Sequence, residues 1–189
     1  MPEIAALVAL AAEGDQDAWN ALVDRFNNLV WAVARAFRLS SADAADVVQT
    51  TWLRLVEQLD RVREPERLGA WLATTARREA LHLIRRSGRQ LPTGDIEMFD
   101  GVNATDPEPD ARLVVDERDK MLWRCVDGLT HRCHVLLRIL MADPAPSYEE
   151  VSAALDLPVG SIGPTRARCL ERLRTLVVRA GISADAEGL

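Results

Sequence analysis

The chain has 189 residues and a net charge of −6, from 29 Asp and Glu against 23 Lys and Arg. That length builds one large domain or two small ones, and 48% hydrophobic with 28% charged residues fits a globular protein and not a disordered one. No apolar run approaches the roughly 20 residues of a membrane helix, the start MPEIAALVALAAEGD lacks a signal peptide's basic segment, and an odd count of cysteines (Cys125, Cys133, Cys169) argues against a disulfide framework and suits a reducing cytoplasm.

Strand alternation never persists, whereas helical periodicity is everywhere, so the fold class is all-α. Leu22, Phe26, Leu29, Val30, Val33 and Phe37 share one face of a long helix. Val48, Trp52, Leu55, Val56 and Leu59 do so for a second, and Leu72, Thr75, Ala76, Ala80 and Leu83 for a third. The periodicity breaks over residues 90–111, QLPTGDIEMFDGVNATDPEPDA, where three Pro, two Gly and six acids read as an extended, mobile linker. Helices resume from Leu113 to about Gly128 and from an N-cap at Thr130 to Met141, where Asp143-Pro144-Ala145-Pro146 intervenes. Ser147 and Glu150 form a capping box opening a short helix to Leu155. After the turn Asp156-Leu157-Pro158, a last helix runs to about Arg179, with Ile162, Cys169, Leu173, Leu176 and Val177 as its buried stripe. The organisation expected is two helical domains, 1–89 and 112–180, joined by the acidic linker 90–111 and followed by a tail, 181–189.

The acidic total conceals two basic blocks. Residues 63–89 carry +4 and residues 158–189 carry +2, separated by acidic stretches. A phosphate backbone senses charge within a Debye length of roughly 8–10 Å, so local blocks matter more than the total. In the first block Arg78, His82, Arg85 and Arg89 fall on one helix face, with Trp71 a heptad earlier and Arg63, Arg67, Arg77 and Arg86 extending the positive surface. A cationic face beside an aromatic suits backbone contact and base stacking. In the second block a capped short helix, a tight turn and a basic helix make a helix-turn-helix. Its reading stripe is expected at Ser161, Thr165, Arg168 and Arg172, with Arg166 on the apolar side and reaching phosphate from the edge. Gly163 and Pro164 offer no reading side chain, so the helix is expected to start late, or bend, at Ser161–Pro164. Asp46, Gln49, Leu53 and Glu57 form a near-neutral stripe on the second helix, and a Leu inside a polar stripe suits docking onto another helix.

Three motifs in register resemble the extracytoplasmic-function (ECF) sigma factors of bacterial RNA polymerase. DVVQTTWL (Asp46–Leu53) resembles the family's polymerase-binding helix, and LGAWLATTARREALHLIRR (Leu68–Arg86) its minus-ten reading and melting helix. SYEEV (Ser147–Val151), PVGSI (Pro158–Ile162) and RCLERLR (Arg168–Arg174) resemble the region four helix-turn-helix. The resemblance implies a non-enzymatic subunit without a cofactor. Asp46, Gln49, Thr50, Leu53, Arg54 and Glu57 would dock on the clamp helices of the largest subunit of core polymerase. Region four would sit on the flap of the second-largest subunit. Arg63, Arg67, Trp71, Arg77, Arg78, His82, Arg85, Arg86 and Arg89 would contact the minus-ten element of promoter DNA, and Ser161, Thr165, Arg166, Arg168 and Arg172 the minus-thirty-five element. The family also brings an anti-sigma factor as a partner, and implies no membrane association. Arg78 stands where the family often has Asn, so its preferred base does not carry over.

Two other readings stay open on the residues. A stand-alone helix-turn-helix regulator would bind an operator without polymerase. A metal or redox protein would use Cys125 and Cys133, although His131, Cys133 and His134 lie too close on one helix for all to meet one ion.

Overall fold

The computed structural model describes residues 3–37, 39–86 and 117–181. Among these residues there are eight α-helices, two short 3-10 turns and no strand. The linker 90–111, Arg89, the helix start at Leu113 and the tail 182–189 lie outside the described residues.

The first four helices are α1 (Ile4–Ala12), α2 (Gln16–Ala36), α3 (Ser41–Gln58) and α4 (Leu68–Arg86). Asp15 caps α2, its Oδ1 accepting from the Ala18 amide at 2.8 Å, and Ser40 caps α3 through the Asp43 amide. A side chain at each cap satisfies an amide that has no partner inside the helix. Leu22, Phe26, Leu29, Val30 and Val33 of α2 are buried, as their spacing requires, against Val47, Val48 and Leu55 of α3 and Leu68, Leu72 and Ala76 of α4. Two buried hydroxyls are satisfied within their own helices: Thr51 donates to the Val47 carbonyl at 2.7 Å and Thr75 to that of Trp71 at 2.8 Å. Val56 departs from the sequence reading. It is 53% exposed, because the buried line of α3 runs through Thr51 and Leu55 and leaves Val56 on the far side.

The second set is α5 (Glu117–Asp127), α6 (His131–Leu140), α7 (Tyr148–Leu155) and α8 (Val159–Arg179). The capping box of α7 is complete. The Ser147 hydroxyl accepts from the Glu150 amide at 3.2 Å, and Glu150 Oε2 accepts from the Ser147 amide at 2.7 Å. Asp156 ends α7 in the left-handed region, φ 58°, a conformation Asp tolerates better than most residues. Leu136, Ile139, Val151, Ala154 and Ile162 form the core of this set.

Two sequence expectations are corrected here. Cys133 and Cys169 form a disulfide between α6 and α8, and the odd cysteine is Cys125, buried and free. An odd total leaves one thiol over but does not stop two others from meeting when their helices pack face to face. The last helix also starts before Pro164, at Val159, and continues through the proline. Buried Ile162 and Cys169 flank that position and hold the helix against α6 and α7, and packing outweighs one lost backbone bond.

The two helical sets are packed together. α7 lies along α4, and α6 lies on α2. The Asn28 side-chain amide donates to the Asp143 carbonyl across the same boundary.

Candidate functional site

Three surfaces carry the predicted residues. The first is the outward face of α3. Asp46, Gln49, Leu53, Arg54 and Glu57 are exposed and Thr50 is half-buried. Leu53 is 57% exposed, and Val56 beside it at i+3 makes an apolar pair in a polar surround. Val56 was missed because its spacing from Trp52 and Leu59 also fits a core stripe. Its i+3 relation to Leu53 was the available signal. Arg54 is partly spent internally, its Nε lying 2.9 Å from Glu79 Oε1 of α4.

The second surface is α4 with the turns before it. Arg63, Arg67, Arg78, His82, Arg85 and Arg86 are exposed, and Trp71 is half-buried against the core. A cleft of about 420 Å³ gathers Arg54, Arg77, Arg78, His82 and Arg85 around Glu79 and Leu81. An adjoining cleft is lined from α3 by Asp46, Gln49 and Thr50 and from α4 by His82 and Arg86. The predicted polymerase-binding and minus-ten residues are thus neighbours across the α3–α4 pair. Arg77 differs from the rest, since its Nη2 lies 3.0 Å from Asp156 Oδ2 at the end of α7. Arg67 pairs with Glu64 at 3.0 Å, both well exposed, so that contact is weak.

The third surface is α8. Arg166, Arg168 and Arg172 are exposed and Ser161 is half-buried, with its hydroxyl donating to the Pro158 carbonyl at 2.7 Å. Two predictions change. Thr165 is 4% exposed and faces the core, so it is not part of the reading face. It stands one helical turn before buried Cys169, about 40° away around the helix, which puts both on one side. Arg166 is exposed, not on the apolar side, because that side is occupied by Ile162, Thr165 and Cys169. Among the described residues no cluster of His, Cys, Asp and Glu could hold a metal ion, and no helix is long and apolar enough to cross a membrane.

The described residues are all helical and present an exposed apolar pair on α3, a basic face of α4 beside it and a capped helix-turn-helix. Residues 22–90 match the family model described as sigma-70 region 2. The ECF RNA polymerase sigma-E factor of Escherichia coli (strain K12) is 26% identical over 163 residues, covering 82% of this chain and 84% of that protein. The sigma-E factor of Haemophilus influenzae is likewise 26% identical, over 83% of this chain and 86% of that one. Two solved structures share the fold. CnrH in complex with the cytosolic domain of CnrY has a TM-score of 0.59 at 24% identity, covering 92% of this chain and 96% of that one. The sigma factor RpoE in complex with the anti-sigma factor NepR from Bartonella quintana has a TM-score of 0.56 at 23% identity, covering 85% and 96%. The chain is thus similar to ECF sigma factors over most of its length, and its match to sigma-70 region 2 spans α2 to α4.

Proposed function

We propose that this chain is an ECF sigma factor, a non-enzymatic subunit that directs promoter-specific initiation by RNA polymerase, with the exposed α3 face as its core-polymerase dock and the α4 face beside it as the minus-ten contact. In this reading Asp46, Gln49, Thr50, Leu53, Arg54 and Glu57, joined by Val56, meet the clamp helices of the largest subunit. The carrying observation is the exposed Leu53–Val56 pair, an apolar anchor of the kind that dominates interfaces when buried. Arg63, Arg67, Arg77, Arg78, His82, Arg85 and Arg86 supply the cationic surface that phosphates require, and Arg89 continues the series in sequence. Trp71, half-buried, supports that face more than it offers a stacking platform.

Region four takes the minus-thirty-five element through Arg166, Arg168 and Arg172, with Ser161 at the start of the helix. Arg forks suit phosphate and guanine edges. Met121, Leu122 and Trp123 of α5 are exposed, and that apolar surface is what region four carries onto the flap of the second-largest subunit. The units of function are 1–89 and 112–180, with 90–111 as connector and 181–189 as tail. The site of action is the cytoplasm, where polymerase and DNA are. An anti-sigma factor is a further partner, by analogy with the NepR complex of the Bartonella quintana factor.

Run-off transcription with core polymerase, with and without this chain, tests the reading. Stimulation from a cognate promoter is expected. Tight specific DNA binding without polymerase, and no stimulation on any genomic promoter, would mark a stand-alone regulator.

A further inference from the structure

We infer that Glu79 is a specificity-determining residue of the minus-ten contact: its carboxylate accepts a hydrogen bond from a base of the opened strand that carries an exocyclic amino group, and it disfavours thymine. The inference deepens the sigma reading above and rests on it.

Glu79 is the only acid of α4, a helix with four arginines and a histidine. It stands where the two clefts of that surface meet, since Glu79 and His82 line both of them. The helix spacing accounts for the shared wall. Glu79, His82 and Arg86 follow one another at i, i+3 and i+7 along the edge of α4 that borders α3. Arg78, His82 and Arg85 follow the edge that faces solvent. His82 belongs to both lines. Arg54 of α3 holds the carboxylate from the other side, its Nε lying 2.9 Å from Glu79 Oε1, and the Glu79 side chain stays 18% exposed. Only Oε1 enters that pair, which leaves Oε2 to take a donor from outside.

Stability does not account for an acid at this place. The partner Arg54 is well exposed, and an ion pair of that kind adds little to the fold. Toward DNA the carboxylate is a cost, because it subtracts from the attraction that the arginines of the cleft exert on phosphate. A phosphodiester therefore sits over Arg77, Arg78 and Arg85 and away from Glu79, which turns the base side of the strand toward the carboxylate. Phosphate contacts set the register and base contacts set the sequence. At Glu79 the base contact is selective, because a carboxylate oxygen accepts and does not donate. Adenine, cytosine and guanine each offer an exocyclic N–H, on N6, N4 and N2. Thymine has no amino group, and its one ring N–H lies between two carbonyl oxygens that repel a carboxylate. His82, exposed beside Glu79, gives the base a ring to stack on, and a cleft of about 420 Å³ has room for it.

The test is a promoter library randomised across the minus-ten element, transcribed by holoenzyme carrying the wild type or Glu79→Gln and read by sequencing the transcripts. At one position the wild type should use thymine roughly 5- to 100-fold less than the best base with an amino group, the discrimination of one good base contact. In Glu79→Gln the amide can donate to the thymine carbonyls, so that preference should shrink below about threefold while the other positions keep theirs. A second arm changes the DNA instead. The favoured base is replaced by its analogue without the amine (purine for adenine, hypoxanthine for guanine, pyrimidin-2-one for cytosine). Open complexes of the wild type should fall at least fivefold and those of Glu79→Gln less than twofold. If Glu79 only braced Arg54, the variant would lower output from every promoter alike. An unchanged base profile in Glu79→Gln, or an analogue as active as its parent base with the wild type, overturns the inference. Should Glu79→Gln fail to assemble with core polymerase, Glu79→Asp replaces it. That variant keeps the charge beside Arg54 and draws the oxygen back by one methylene, so the thymine preference should weaken at the same single position, and an unchanged profile overturns the inference. A wild-type holoenzyme that transcribes no member of the library overturns the sigma reading, a result distinct from transcription without a thymine preference, which overturns the role of Glu79 alone.

Discussion

Thr165 and Arg168 stand three residues apart on α8 and meet different surroundings. Thr165 shares the buried line with Ile162 and Cys169, while Arg168 points to solvent and its Nη2 reaches back to the threonine hydroxyl at 3.4 Å. Thr165→Val should therefore leave holoenzyme affinity for a promoter within about twofold. Arg168→Ala should lower it by roughly 5- to 100-fold, the value of a good base or phosphate contact of about 1–3 kcal/mol. A gel shift with reconstituted holoenzyme measures both, and the reverse order would return Thr165 to the reading face. On α3 the expectation concerns association. Leu53→Asp touches no core, so its melting temperature should stay near wild type. Its affinity for core polymerase should fall by about 30-fold or more, as for an interface anchor worth about 2 kcal/mol. Equal affinity in a pull-down titration would remove α3 from the interface.

Elements are where local sequence signals and packing meet. The ends of α2, α3 and α7 follow from Asp15, Ser40 and Ser147, whose side chains each satisfy an otherwise unpaired amide. α8 obeys packing over propensity, running through Pro164. The Cys133–Cys169 bond ties that helix to α6 across a sequence separation of 36 residues. Closing a loop of that size restrains the unfolded chain and stabilises the fold by about 2–4 kcal/mol. Reduction, or Cys133→Ser with Cys169→Ser, should lower the unfolding free energy of region four by that amount in urea titration. An unchanged midpoint would show that the bond does not form in solution. Cys125 is buried at 8% exposure and should label slowly beside it.

For the whole molecule, the decisive quantity is how charge is distributed. A total of −6 hides the basic block 63–89, whose cations line the clefts of α4. Arg85→Glu with Arg86→Glu adds negative charge at the end of α4, where Arg86 borders Asp46, Gln49 and Thr50 across a cleft that the apolar pair Leu53 and Val56 does not line. Open-complex formation, followed by permanganate footprinting, should fall at least tenfold while core binding changes less than threefold. Parallel loss of both would refute the separation of the two surfaces.

Periodicity and caps made the helices legible, because a helix's buried stripe and its unpaired terminal amides are local matters. The family resemblance lay in three short motifs for the same reason, and the sites it implies on α3 and α4 are mostly at the surface. Val56, Thr165 and Arg166 were misplaced, since a helical wheel sets angles between residues but not which sector the neighbouring helices will cover. The cysteine pair and the packing of α7 on α4 are contacts between residues 36 or more apart in sequence. No local spacing encodes such a meeting. The sequence alone determined that this protein is helical, where α6 and α7 begin, and which blocks carry positive charge. Only the tertiary structure decided which face of each helix is free, which thiols meet, and that α7 packs on α4, because those outcomes depend on the shapes of surfaces that come together only when the chain folds.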